Sequence, residues 1–231
     1  MLLQRPIGLI YLILKIRYCS PDIYTILSRI ESSLPETTRV AGYAFTFIGG
    51  LFVMSNILQI AQLGNPVLRE VAQPVELLAD HTVQELIDDL IATMGVGNLG
   101  IAAPQVNHSL QVMIIACKPT QNYPDAPIRE PFAVINPVLL STHGDTFFEW
   151  EGCLSIPGFR GHVPRPFGIT LQYLRRDGEE VTETVEGFLA RVIQHEYDHL
   201  HGRVYLDRLE SMLDLVTEQE FQRLRREDMT R

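Results

Sequence analysis

Hydrophobic residues recur along this chain in two rhythms. Val83, Leu86, Ile87, Leu90, Ile91 and Met94 fall at the three-and-four spacing of a single helix face. Thr82, with Glu85 three positions later, predicts a capping box that opens this helix, and Gly95, Gly97 and Gly100 break it. Strand-like runs follow at 110–116, 132–140, 146–150 and 168–174, and Asp177-Gly178 predicts a hairpin turn into 180–185. The middle of the protein therefore reads as mostly antiparallel sheet. A second helical pattern runs from about Glu186 to His201, with Leu189, Val192, Ile193 and Leu200 on its apolar face and Gly202 as its stop. From Leu209 to about Glu227 the pattern predicts a third helix.

The first fifty-odd residues follow neither rhythm. They hold two apolar patches, Ile7 to Leu14 and Val40 to Met54, both shorter than the uninterrupted run of about 18 residues that a membrane helix needs, so no membrane span is expected. The texture of a compact domain begins at Ile57 and turns at Gly64-Asn65-Pro66. A chain of 231 residues, 46% of them hydrophobic, can bury one substantial core with an appendage. The expected division is an N-terminal extension over residues 1–53, poorly ordered or a leader, and a catalytic domain with a C-terminal helix over 54–231.

Charge narrows the function classes. The formal net charge is −9; the first 54 residues hold five Lys and Arg against three Asp and Glu, which leaves −11 on the remainder. That balance argues against a general affinity for nucleic-acid backbones, which shows as a clustered basic surface. The three cysteines, Cys19, Cys117 and Cys153, lack the even, dense spacing of a disulfide framework, so a reducing compartment is expected. Cys117 ends an apolar run and reads as a buried, inert thiol.

Chemistry enters on the second helix. His195-Glu196-Tyr197-Asp198-His199 places two imidazoles one turn apart on the same face, the geometry two nitrogen ligands need to share one ion. Glu196 beside them is not needed as a ligand; it can take a proton from a metal-bound water and return it to a leaving group. A four-coordinate site still lacks a protein ligand. Cys153, in Glu151-Gly152-Cys153-Leu154-Ser155 after the strand-like Phe147 to Trp150, is the candidate. The segment Gly97 to Gln105 adds small residues that permit close backbone approach to a ligand and one side-chain amide, without the lysine of a phosphate-binding loop.

Taken in order, Gly100-Ile-Ala-Ala-Pro-Gln105, Glu151-Gly-Cys-Leu-Ser155 and Gln194-His-Glu-Tyr-Asp-His199 resemble the three signature motifs of peptide deformylase. Gly64 to Arg69, Ile135-Asn136-Pro137 and Pro157 to Arg160 extend the similarity, which covers roughly residues 56–210. Asn98 stands where many members have glycine. The resemblance implies an α+β fold, with antiparallel β-sheets around a central metal-bearing α-helix. It implies a hydrolase that removes the formyl group from the formyl-methionine of newly made polypeptides.

By the same resemblance, Cys153, His195 and His199 hold one divalent ion, Fe(II) first, with Zn(II), Ni(II) or Co(II) as substitutes. Glu196 is the proton carrier, and the Gln105 amide and the Leu154 N–H face the developing oxyanion. The backbone around Leu99, Gly100 and Ile101 pairs with the extended peptide. Ile193 and Phe188 are expected pocket walls, Arg160 faces the peptide or is a surface arginine, and Glu151 with Arg165 forms a buried pair bracing the cysteine loop. The implied partner is the formylated nascent peptide, with the ribosome a further partner through Arg223, Arg225, Arg226 and Arg231 unless these form a solvated face. The expected compartment is the cytoplasm, or a plastid or mitochondrion if residues 1–53 are a transit peptide.

Two rivals remain at this point. His-Glu-x-x-His alone suits a metallopeptidase, but such enzymes generally take histidine or glutamate as third ligand. A catalytically silent peptide-binding protein would keep the fold, yet here every essential group is present.

Overall fold

The computed structural model describes residues 37–40, 43–48, 51–95, 97–119, 124 and 126–228. The chain divides into two compact units, Met1–Met54 and Ser55–Arg231. Toward the end of the first, β1 (Thr37–Val40) pairs antiparallel with β2 (Tyr43–Ile48), and β3 (Leu51–Asn56) completes a three-stranded sheet. The apolar patch from Val40 to Met54 thus contributes strands. The earlier patch, Ile7 to Leu14, and Cys19 lie outside the described residues.

The second unit runs α1 (His81–Met94), β4 (Gly100–Ala102), β5 (Val112–Cys117), β6 (Arg129–Cys153), β7 (Ile156–Leu174), β8 (Glu180–Glu186), α2 (Gly187–Leu200), β9 (Leu215–Thr217) and α3 (Glu218–Asp228). The strands form an antiparallel sheet in the order β4-β5-β6-β7-β8, with β9 also pairing to β7.

β5 shows why the helices sit where they do. All six of its residues are buried, and they alternate between two cores. Val112, Ile114 and Ala116 join Val83, Leu86, Ile87, Leu90 and Met94 of α1, whereas Met113, Ile115 and Cys117 join Leu189, Ala190, Val192, Ile193 and Leu200 of α2. Side chains two apart share a face, so one apolar run feeds both layers and clamps α2 against the sheet. Truncating Ile115 to alanine in such a setting costs about 2–5 kcal/mol.

Three expectations need correction. The cap of α1 is Asp80, not Thr82: the Asp80 carboxylate accepts from the Thr82 backbone N–H at 2.9 Å and from its hydroxyl at 2.8 Å. An ionised acceptor satisfies the first turn's free N–H groups better than a hydroxyl two residues later. The runs 132–140 and 146–150 belong to one strand, β6. Gly144, at φ 73°, forms a bulge in it rather than a turn, and pairing resumes at Thr146 opposite Pro166. The C-terminal helix begins at Glu218 rather than Leu209, because Ser211 caps a short 3-10 turn at Met212–Asp214 and β9 then joins the sheet.

No helix among the described residues is long and apolar enough to cross a membrane.

Candidate metal centre

β6 ends on Cys153, and a two-residue turn at Leu154 and Ser155 returns the chain into β7 at Ile156. This tight return places the thiol against α2, where His195 and His199 lie one turn apart. The Cys153 sulfur and one nitrogen from each imidazole all fall within 4.8 Å of one another. Sγ is 3.3 Å from Nε2 of His199, and the two imidazole rings are 5.2 Å apart, edge to face.

One sulfur and two nitrogens, converging in a largely buried setting, suit a divalent transition metal with a fourth position open. The surroundings fit that use. Nδ1 of His195 lies 2.9 Å from Oε2 of Glu151, which ties up that nitrogen and leaves Nε2 for ligation. The thiol is primed as a thiolate: burial would raise its pKa, but His199 and His195 hold it well below the ordinary thiol value.

Glu151 anchors this arrangement. Its Oε1 accepts from Nε of Arg165 at 2.6 Å and from Nη1 of Arg191 at 2.7 Å, and its Oε2 accepts from Nη2 of Arg165 at 2.9 Å. Burial alone would raise its pKa; the Arg165 and His195 charges reverse that and hold the carboxyl ionised. Arg165 also donates to Asp198 at 2.8 Å, and Asp198 takes Nε of Arg208 at 2.6 Å. The expected Glu151–Arg165 pair is therefore present, and it belongs to a wider buried chain of alternating charges.

Beside Cys153 and His195 lies a cleft of about 310 Å³. Glu196 faces it from α2, with Oε2 buried and without a hydrogen-bond partner among the described residues. Burial pushes its carboxyl up to about 7, against the opposing pull of His195 and His199. A side chain on Gly100 would collide with this carboxylate, so only glycine lets β4 pass so near. Gln105 is held by the backbone three residues earlier: its Oε1 accepts from the Ala102 N–H at 2.8 Å. That bond aims Nε2 at the Cys153 sulfur and the Ser155 hydroxyl, each 3.3 Å away.

Leu99, Gly100, Leu154, Arg160 and Phe188 line the cleft as expected. Ile101 offers its backbone on β4, its side chain being buried in the α1 core. One expected wall does not line the cleft: Ile193 lines a separate cavity, and Val192, one residue earlier, lines the cleft. Sequence reading missed Arg191 and Gln222, which also line the cleft. Arg191 sits four residues before His195, one turn back on the same face, and that spacing was a usable signal.

A family model described as polypeptide deformylase matches residues 57–214. A peptide deformylase 2 of Nostoc sp. is 48% identical over 169 residues, which is 73% of this chain and 94% of that protein. A peptide deformylase of Chlorobium phaeovibrioides is 44% identical over 67% of this chain and 79% of its own length. Among solved structures, a class I type b peptide deformylase from Acinetobacter baumannii with Met-Ala-Ser bound has a TM-score of 0.65 at 39% identity, covering 68% of this chain and all of that one. The peptide deformylase of Thermotoga maritima has a TM-score of 0.60 at 36% identity, covering 68% of this chain and 99% of its own.

Proposed function

The chain belongs to the polypeptide deformylase family, whose members remove the N-formyl group from nascent polypeptides, and on that premise we propose which residues here carry the reaction. Cys153, His195 and His199 hold one divalent cation, Fe(II) in the native protein. When bound, the cation supplies Lewis-acid chemistry, lowering the pKa of a coordinated water and polarising the formyl oxygen.

Everything else falls to side chains and backbone. Glu196, buried beside the two imidazoles, accepts the proton of the attacking water and delivers it to the departing amine, which leaves as the free N-terminus while formate is released. Nε2 of Gln105 and the N–H of Leu154 donate to the charge that develops on the formyl oxygen. β4 is the end strand of its sheet, so its free edge at Leu99 to Ile101 can pair with an extended peptide while Phe188 and Val192 face the methionine side chain.

The observation that carries this reading is a buried, raised carboxyl at Glu196 adjoining a convergent sulfur and two imidazole nitrogens. Metal-loaded protein should release formate from formyl-methionyl peptides, and Glu196→Gln should abolish release while metal content stays at one per chain. Loss of the metal from that variant would make Glu196 structural. The choice of iron is tested by metal analysis of anaerobically purified protein, and by air inactivation faster for the Fe(II) form than for the Ni(II) form.

Residues 1–53 form an extension to the catalytic domain, whose compartment is the cytoplasm, or an organelle if the extension is a transit peptide; intact mass of the mature protein decides. Contact of α3 with the ribosome is a separate proposal. Arg223 is engaged by Glu220 and Glu227, which among the described residues leaves it to Arg225 and Arg226, Arg231 lying outside them, and co-sedimentation that weakens with salt would support it.

A further inference from the structure

α3 contributes Gln222 to the lining of the cleft. Leu215, Val216 and Thr217 of β9 pair with Gly161, Arg160 and Phe159 of β7, so α3 departs from that pairing beside Arg160. Its first residue, Glu218, places Oε2 2.5 Å from Nε of Arg160. Phe221, buried against Trp150, lies beneath the guanidinium, with Cζ 5.3 Å from the ring centre. On the other side, a Cβ on Gly152 would collide with the guanidinium, so glycine there lets the charge rest against the backbone one residue before Cys153.

This arrangement leaves specific donors over. Among the described residues, neither Nη atom of Arg160 makes a hydrogen bond, and Arg160 lines the cleft. Gln222 lies one turn beyond Glu218, donates from Nε2 to Oε1 of Glu218 at 2.7 Å, and lines the same cleft. A single carboxylate thus holds both an arginine and a glutamine in place.

Resting on the assignment of this cleft to formylated peptides, we propose that Glu218 is a positioning residue through which α3 presents Arg160 and Gln222 to the substrate backbone beyond its first residue. Glu218 thereby sets how much the residues after the formyl-methionine add to binding. The warrant is preorganisation. A guanidinium fixed at Nε and packed on an aromatic face loses little freedom when its remaining donors meet a carbonyl, so more of the hydrogen-bond energy appears as affinity. Hydrogen bonds to a charged donor support a discrimination of about tenfold.

The test compares kcat and KM for formyl-Met-amide and formyl-Met-Ala-Ser-amide, both uncharged at the C-terminus, on the metal-loaded full chain. In Glu218→Gln, kcat/KM for the longer substrate relative to the shorter should fall about tenfold, through KM of the longer one. Arg160→Lys should reproduce the fall, and it decides the matter if the first variant does not fold. Glu220→Gln removes an exposed charge from the same helix and should leave the ratio at its wild-type value. An unchanged ratio in Glu218→Gln and Arg160→Lys, or equal losses on both substrates, would overturn the proposal. Wild-type protein that releases formate from neither substrate would overturn the assignment of the cleft itself.

Discussion

Oε2 of Glu151 lies 2.9 Å from Nδ1 of His195, while the same carboxylate is gripped by Arg165 and Arg191. A buried acid thus sets which imidazole nitrogen is free for the metal. Glu151→Gln keeps the shape but weakens the hold on Nδ1–H, and partners of this kind are worth about 10–100-fold in metal affinity. Competition with a chelator should show a loss in that range; unchanged affinity would mean that His195 is oriented by packing alone.

Arg165 faces both Glu151 and Asp198 and is 1% exposed, so its removal takes from two buried carboxylates a charge that Arg191 and Arg208 only partly replace. Breaking a buried pair from one side costs about 3–5 kcal/mol, far more than the pair's net contribution when intact. Arg165→Met should lower the stability measured by urea unfolding by that amount, and a loss under about 1 kcal/mol would contradict the account.

Gln105 is held by the Ala102 N–H so that its other amide atom points at the site. Gln105→Ala removes one donor to developing negative charge and should lower kcat by about 10²–10³ with one metal ion still bound. If KM rose and kcat held, Gln105 would be a ground-state binding group instead.

Cys117 reports on the core. Burial pushes its thiol up to about 11, and Arg129 only partly opposes this. A raised thiol pKa means that the reactive thiolate is scarce below it, roughly one molecule in a thousand at pH 8. Mass spectrometry after alkylation at pH 8 should find Cys117 unmodified in native protein and modified once unfolded; rapid native labelling would mean that this face of the core opens readily.

The convergence of Cys153, His195 and His199 beside Glu196 was legible because helical spacing puts the two imidazoles on one face next to Glu196, and because a tight strand end gives Cys153 few places to point. The helix around them was legible from its apolar face. What stayed hidden depends on contacts distant in sequence. The run at 168–174 is only the end of β7, which begins at Ile156 and holds Pro157, Pro164 and Pro166 in its pairing with β6. Arg191 and Asp198 are charged residues of α2 that are buried because Glu151 and Arg165 reach them from the hairpin. Ile193 and Val192 differ by about 100° around α2, and only the packed structure tells that Val192 also lines the cleft while Ile193 lines a separate cavity.

The convergence of Cys153, His195 and His199 on one cation is the claim on which the rest depends. X-ray absorption on protein loaded with Zn(II) tests it most directly. The account predicts one sulfur at about 2.3 Å and two imidazole nitrogens at about 2.0–2.1 Å, with the sulfur shell lost in Cys153→Ser. A first shell made only of nitrogen and oxygen in the wild-type protein would contradict it.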